Sequence, residues 1–333
     1  MNKEFIFKRV AFSSATLILV ILVSIFVMLF ISAKPAMQEY GWHFLVDSSW
    51  GKTIEIKSDK PAVSKKTATK TATNDSENLF ADQNSPMFPM SDESVDSTSQ
   101  NQNTITKTIY GGYIPIIGTI LSTLIAMIFS VPIAMGISIF LSEIAPKFLI
   151  KPVGLAIELL AAIPSIIYGM WGLFYFAPIV QKIFGGNQIS ILTAGLVLGI
   201  MILPFMAAIT RDAMNTTPSV LKESAYSLGA TKFEVVKDII FPYAKVGIIG
   251  SIILSLGRAL GETMAVAFLI GSVFKIPGTL TSPTISIPVV LANNFGEAGG
   301  DMMSALFYLA FVLFVFSFIV IGVAKFYFLK GHR

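Results

Sequence analysis

At 333 residues the chain is long enough for two or three soluble domains of ~150 residues each. Composition excludes that: 54% of the residues are hydrophobic and only 13% charged, where a soluble domain carries about 25% charged residues. Of the 44 Lys, Arg, Asp and Glu, 15 lie between Gly51 and Ile109, which leaves 29 for the other 274 positions. That remainder is too apolar for water. A soluble enzyme, a disordered hub and a nucleic-acid binder all fit poorly, despite a net charge of +4. The chain has no cysteine and only His43 and His332, so no disulfide, thiolate site, imidazole metal cluster or cofactor is expected.

About 20 apolar residues cross a bilayer as a helix, and six stretches qualify: about Val10–Ile31, Ile114–Leu141, Val153–Val180, Ile191–Ile209, Val246–Val273 and Ser304–Tyr327. The first follows Lys3, Lys8 and Arg9 but is longer than the 7–15-residue core of a signal peptide. It reads as an uncleaved anchor, residues 1–33. With the N-terminus inside, one side of the membrane collects Lys147, Lys151, Arg211, Lys222, Lys232, Lys237, Lys245, Lys325, Lys330 and Arg333. The short outer loops keep only Lys182 and Lys275. The positive-inside rule therefore predicts an all-α polytopic membrane protein with six spans and both termini cytoplasmic.

Residues 34–110 form the first outer loop. From Gly51 to Ile109 it is rich in Ser, Thr, Asn and Lys, basic from Lys52 to Lys70 and acidic from Asp75 to Asp96. Such a segment cannot bury a core and is expected to stay loosely ordered. Pro132, Pro164 and Pro204 fall in the second, third and fourth spans. Kinks of this kind suit helices packed around a pathway, though many bundles contain them without one.

The core, residues 111–333, carries its most informative segment between spans four and five, 211–244. Thr217-Pro218 reads as an N-cap followed by a first-turn proline. The helix then runs to Leu228 and stops at Gly229, a left-handed terminator. Thr231-Lys232-Phe233-Glu234 is a capping box that opens a second helix. Leu221, Ala225 and Leu228 share a face suited to another protein's groove; packing against the chain's own helices is the alternative. A DNA-reading helix–turn–helix is disfavoured, because Glu223, Glu234 and Asp238 balance Lys222, Lys232 and Lys237.

Glu223-Ser224-Ala225, then Gly229, Ile239 and Phe241-Pro242 resemble the "EAA…G…I-LP" signature of ABC importer permeases, with Ser at its second position and Phe for Leu. Leu141-Ser142-Glu143, the stretch from Glu158 to Gly169 and the stretch from Gly257 to Val266 resemble the phosphate-specific permeases of the PstC type. The resemblance covers about Phe44–Trp50 and Tyr110 to the C-terminus, and gives no role to the polar loop between. It implies a type I importer permease fold in a bacterial cytoplasmic membrane. It also implies that the first hairpin helix, with Glu223, Ser224, Ala225 and Gly229, couples to a cytoplasmic ATPase present in two copies. The other implied partners are a paralogous PstA-like permease, an extracytoplasmic phosphate-binding protein, phosphate and membrane lipid, with no nucleic acid. Permeases for sulfate, molybdate or phosphonate share the fold, so the anion is the less secure part of the reading.

ATP hydrolysis is not expected in this chain. Its only Gly-Lys-Thr, Gly51–Thr53, has Val46 where a phosphate-cradling loop needs its first glycine. Three charged residues sit well inside the predicted spans, away from their ends: Glu158, Arg258 and Glu262. Each costs on the order of 2.5–3.5 kcal/mol at a helix centre and should face the bundle interior or water. A structural hydrogen bond is favoured for Glu158. Arg258 and Glu262, four apart in span five beside Gly257 and Gly261, should share a face. Two roles stay open for them: an oxyanion contact in the translocation pathway, or a structural ion pair. A secondary carrier with Glu262 as proton relay is the remaining alternative; it would need no docking hairpin.

Overall fold

The computed structural model of the chain describes residues 2–57 and 104–329. The described residues divide into two units, 2–52 with 109–329, and the stretches 53–57 and 104–108. Among the described residues six helical stretches are long and apolar enough to cross a membrane: Glu4–Leu45, Tyr113–Ile144, Ser165–Phe184, Ile191–Asn215, Lys232–Leu260 and Gly300–Phe326.

Helix α1 (Asn2–Tyr40) passes into a 3₁₀ turn, Gly41–Leu45, and then strand β1 (Trp50–Lys57), which pairs with β2 (Thr104–Tyr110). The flanks of the polar loop therefore form a two-stranded ladder where a loose segment was expected; residues 58–103 lie outside the described residues. Trp50 stacks on Phe274 at 5.1 Å and meets Tyr110 edge-on. The neighbouring corner is held by backbone bonds from Gly112 N to Phe44 O (2.7 Å) and from Tyr113 N to Asp47 O (3.2 Å). Asp47 accepts from both the hydroxyl and the amide of Ser49, which holds its carboxyl below the usual range. Its stabilising contribution is present above the unfolded pKa and is lost only as pH falls through the lowered folded value. Joining β1 to β2 through Asn-Gly in place of 58–103 is expected to leave membrane levels and uptake near wild type, since loop closure depends weakly on length. Quantitative immunoblotting with an uptake assay checks this, and loss of uptake at normal levels would assign function to the segment.

Helix α2 (Tyr113–Ile139) continues through a π turn, Phe140–Ile144, and α3 (Lys147–Ala162) follows. α4 (Ser165–Trp171), a second π turn and α5 (Ala177–Phe184) make the third crossing. The predicted span Val153–Val180 is thus two helices. Ile163 and Pro164 are extended, because a residue before proline is pushed out of the helical region. Tyr168 Oη bonds back to Leu160 O at 2.8 Å and closes the break.

The central helix is α6 (Ile191–Asn215), the most buried of the six crossings. It runs parallel to α2, zipped by Ser130 Oγ to Gly199 O and Ser138 Oγ to Ala207 O, both 2.9 Å. Both serines also bond their own helix one turn back, so neither of these two hydroxyls is left to apolar surroundings. Gly195 and Gly199 let α2 approach; a Cβ at either would stand within 3 Å of Ile125 or Phe129. After α6 come α7 (Ser219–Ser227), α8 (Lys232–Glu234), a third π turn (Val235–Ile240) and α9 (Phe241–Leu260). α9 packs antiparallel on α6 through Thr210–Ser251 (2.6 Å) and Gly247 against Ala213.

The predicted fifth span, Val246–Val273, is also broken: α9 ends at Leu260 and α10 (Met264–Ile270) begins after Gly261-Glu262-Thr263. The loop beyond, expected to be an outer connection, folds inward instead. It carries the short helix α11 (Ile287–Asn294), with Ile287, Val289 and Val290 buried. Ile287 N donates to Thr119 Oγ1 on α2 (2.9 Å). A Cβ on Gly118 would come within 2.0 Å of Ile285 O. Gly118→Ala should therefore displace α11 and destabilise the bundle by about 1–3 kcal/mol, the usual cost of overpacking; a lowered melting temperature in detergent is the readout. Helix α12 (Gly300–Leu329) closes the bundle against α1, through Phe26 and Phe30 on Phe311 and Phe44 stacked on Tyr308 at 4.5 Å.

Candidate coupling hairpin and translocation residues

The hairpin between α6 and α9 is built by local rules. Helix α7 ends in a left-handed turn at Gly229, φ +90°. Ala230 N bonds to Ala225 O and Gly229 N to Tyr226 O, both at 3.0 Å, which is the paired bonding of a Schellman end. Gly229 meets no atom within 4 Å of where a Cβ would stand, so its requirement is conformational. The capping box forms in full: Glu234 N donates to Thr231 Oγ1, and Thr231 N donates to Glu234 Oε2 at 2.7 Å. The start of α7 departs from expectation. Pro218 is the cap, with extended backbone, while the hydroxyl of Thr217 is buried and unpartnered.

The face expected to dock also differs. Ala225 turns inward and packs on Met214, Val235 and Ile240. The outward apolar residues are Val220, Leu221, Leu228 and, on α8, Phe233; Leu228 is 89% exposed. Glu223 and Ser224 are exposed. The hairpin thus has one side on its own chain and one side open. One contact was not foreseen: Lys222 Nζ lies 2.5 Å from Glu143 Oε1, both side chains mostly buried. The two are 79 positions apart, and only the Leu141-Ser142-Glu143 match drew attention to that end of α2.

The charges expected inside the membrane separate, and Glu158 falls on α3, ahead of the third crossing at Ser165–Phe184. Glu158 is exposed on α3 and faces Arg211 at the end of α6 at 3.5 Å, with Arg211 also bound to Asp212 (2.9 Å). Arg258 and Glu262 do not share a helix face, because α9 stops between them. Glu262, one residue ahead of the Thr263 N-cap, accepts from Ala265 N in the first turn of α10 through Oε1 at 3.3 Å. Among the described residues no ion pair joins Glu262 to Arg258. The Arg258 guanidinium is exposed, 5.5 Å over the Phe205 ring beside Pro204, and within electrostatic range of Tyr168. It stands where α4, α6 and α9 meet. Gly169, whose Cβ would touch Ala265, keeps α4 tight on α10 just beyond it.

A family model described as "Binding-protein-dependent transport system inner membrane component" matches residues 115–329, from the start of α2 to the end of α12. The chain belongs to this family. As such an inner membrane component it is a multi-pass membrane protein with the ABC importer permease fold. The phosphate transport system permease protein PstC of Pasteurella multocida (strain Pm70) is 49% identical over 236 residues, 65% of this chain and 74% of that one. Its counterpart in Haemophilus influenzae is 48% identical over 236 residues, 65% and 75% of the two chains. Among solved structures, the inward-facing MetNI methionine ABC transporter shares the fold with a TM-score of 0.55. That match has 16% identity and covers 66% of this chain and 95% of the other. Helix α1 precedes the matched region.

Proposed function

We propose that this chain is the translocating subunit of an ATP-driven, binding-protein-dependent phosphate importer. In this reading it pairs with a PstA-like permease, two copies of a cytoplasmic ATPase and an extracytoplasmic phosphate-binding protein. Residues 1–33 are the anchor, 34–110 the outer loop and 111–333 the core; both termini and the hairpin 211–244 are cytoplasmic. Phosphate as cargo is supported by the likeness to permeases of that name. ATP is hydrolysed by the separate subunit, and this chain is not itself an enzyme.

The observation that carries the mechanism is the exposed Arg258 within the fifth membrane-crossing segment. A guanidinium facing lipid costs several kcal/mol, so the surface around it must be covered by water and a second subunit. Arg stays charged and presents a fork to two oxyanion oxygens, which lowers the barrier for an anion leaving bulk water. The Phe205 ring holds the fork by cation–π attraction worth ~0.5–2 kcal/mol. Glu262 shapes the site indirectly, by starting α10 where α9 ends. On the inner side, the exposed part of α7, with Glu223, Ser224, Val220 and Leu228, enters a cleft of the ATPase, and Gly229 sets its angle. Uptake into proteoliposomes containing all subunits tests the cargo. Unlabelled phosphate should compete and sulfate and molybdate should not; equal competition by either would reassign the anion.

A further inference from the structure

We propose that the Glu143–Lys222 ion pair is the link through which hairpin motion reaches the membrane helices. This rests on the coupling reading above. Helix α7 has no buried residue, and nine residues are too few to hold a helix in water unaided. What fixes it is its Schellman end, the inward Ala225 and this one ion pair; among the described residues, no other side-chain ion pair or hydrogen bond joins α7 to a membrane-crossing helix.

The other end of the pair is equally particular. Glu143 lies in the π turn that extends α2, where Ala145 N reaches back to Phe140 O at 2.7 Å. The extra residue of such a turn re-aims side chains, and π turns recur at functional positions. It brings the carboxylate against the hairpin, with Ser142 Oγ at 3.7 Å from Met214 Sδ beside it. Beyond Glu143, α2 is pinned to α6 by Ser138 and Ser130. A displacement of α7 therefore pulls on α2 and α6 together. A shielded ion pair suits this because it adds little net stability yet fixes registry, and removing one partner strands the other.

The full complex in proteoliposomes, driven by phosphate-loaded binding protein, tests the link. Glu143→Gln and Lys222→Met should each lower phosphate moved per ATP hydrolysed by about five- to tenfold, the lower range of site–site coupling. The exchange Glu143→Lys with Lys222→Glu should recover most of it. A pair that only stabilises the fold would lower membrane levels and leave the ratio at its wild-type value; that result, or a wild-type ratio at wild-type levels, overturns the proposal. If disrupting the exposed face by Leu228→Asp also left the ratio unchanged, the coupling reading itself would fail, so the two failures are distinguishable. A second arm exploits the absence of native cysteine. Cysteines at 143 and 222 lack the ion pair and should transport poorly until a short bis-methanethiosulfonate reagent joins them, and should fall back when reduction cleaves its two disulfides. Joining that leaves transport at the unjoined level, or lowers it further, would show that the two positions must part and would overturn the proposal.

Discussion

Gly229→Val is expected to abolish phosphate uptake while leaving the transporter assembled in the membrane. The residue holds φ +90°, and an L-residue in the left-handed region costs roughly 1–2 kcal/mol even before β-branching adds its own restriction. Because no atom lies within 4 Å of the added Cβ, the substitution clashes with nothing. It acts by moving the backbone out of the turn. The bonds from Ala230 to Ala225 and from Gly229 to Tyr226 then break, α7 loses its defined end, and Leu228 points elsewhere. The effect should be graded by conformational tolerance and not by size: Asn mildest, Ala intermediate, Val worst. ATPase activity stimulated by loaded binding protein, measured beside uptake, is the readout. A Val variant that matches wild type in both would refute the role given to this turn.

How much of this was legible in the sequence follows the range of each signal. Local rules read well: the Gly229 terminator and the Thr231–Glu234 box depend on residues within four positions of each other, and the structure forms both. Hydropathy found six crossings, because it measures affinity for lipid. It says nothing about whether the backbone stays helical, so Ile163-Pro164 and Gly261-Glu262-Thr263 were absorbed into continuous spans. Pro164 was a visible warning; the second break had only a glycine and two polar residues to mark it. Helix α11 is too short for a span-length window, yet its buried face is apolar at Ile287, Val289 and Val290. The alternation of Thr and Ile in Thr104–Tyr110 is a strand pattern that polar composition obscured. The Glu143–Lys222 contact had no local signal at all, since pairing across 79 positions is set by the packing of α2 on α6.

The break in span five changes what Arg258 and Glu262 are asked to do, and this separates their mutants. If both acted as one ion pair, removing either should be similarly harmful. Here Glu262 accepts from the first turn of α10, so Glu262→Gln, which keeps an oxygen for Ala265 N, should retain uptake within a few-fold. Glu262→Ala should lose that hydrogen bond, at about 0.5–1.5 kcal/mol, and be read as reduced stability. Arg258 is different: the residue is exposed, and its guanidinium lies over the Phe205 ring. Hydrogen bonds to charged groups contribute about 1.5–3 kcal/mol each, so loss of a bidentate contact predicts a fall in uptake of about two orders of magnitude or more. Arg258→Met should assemble and respond to loaded binding protein with ATP hydrolysis, yet move almost no phosphate. Arg258→Lys, which keeps the charge and loses the fork, should fall between. Wild-type uptake by Arg258→Met would remove Arg258 from the pathway. It would leave the exposed charge to be explained by contact with the partner permease, whose cross-links to a cysteine at position 258 would then be the measurement to make.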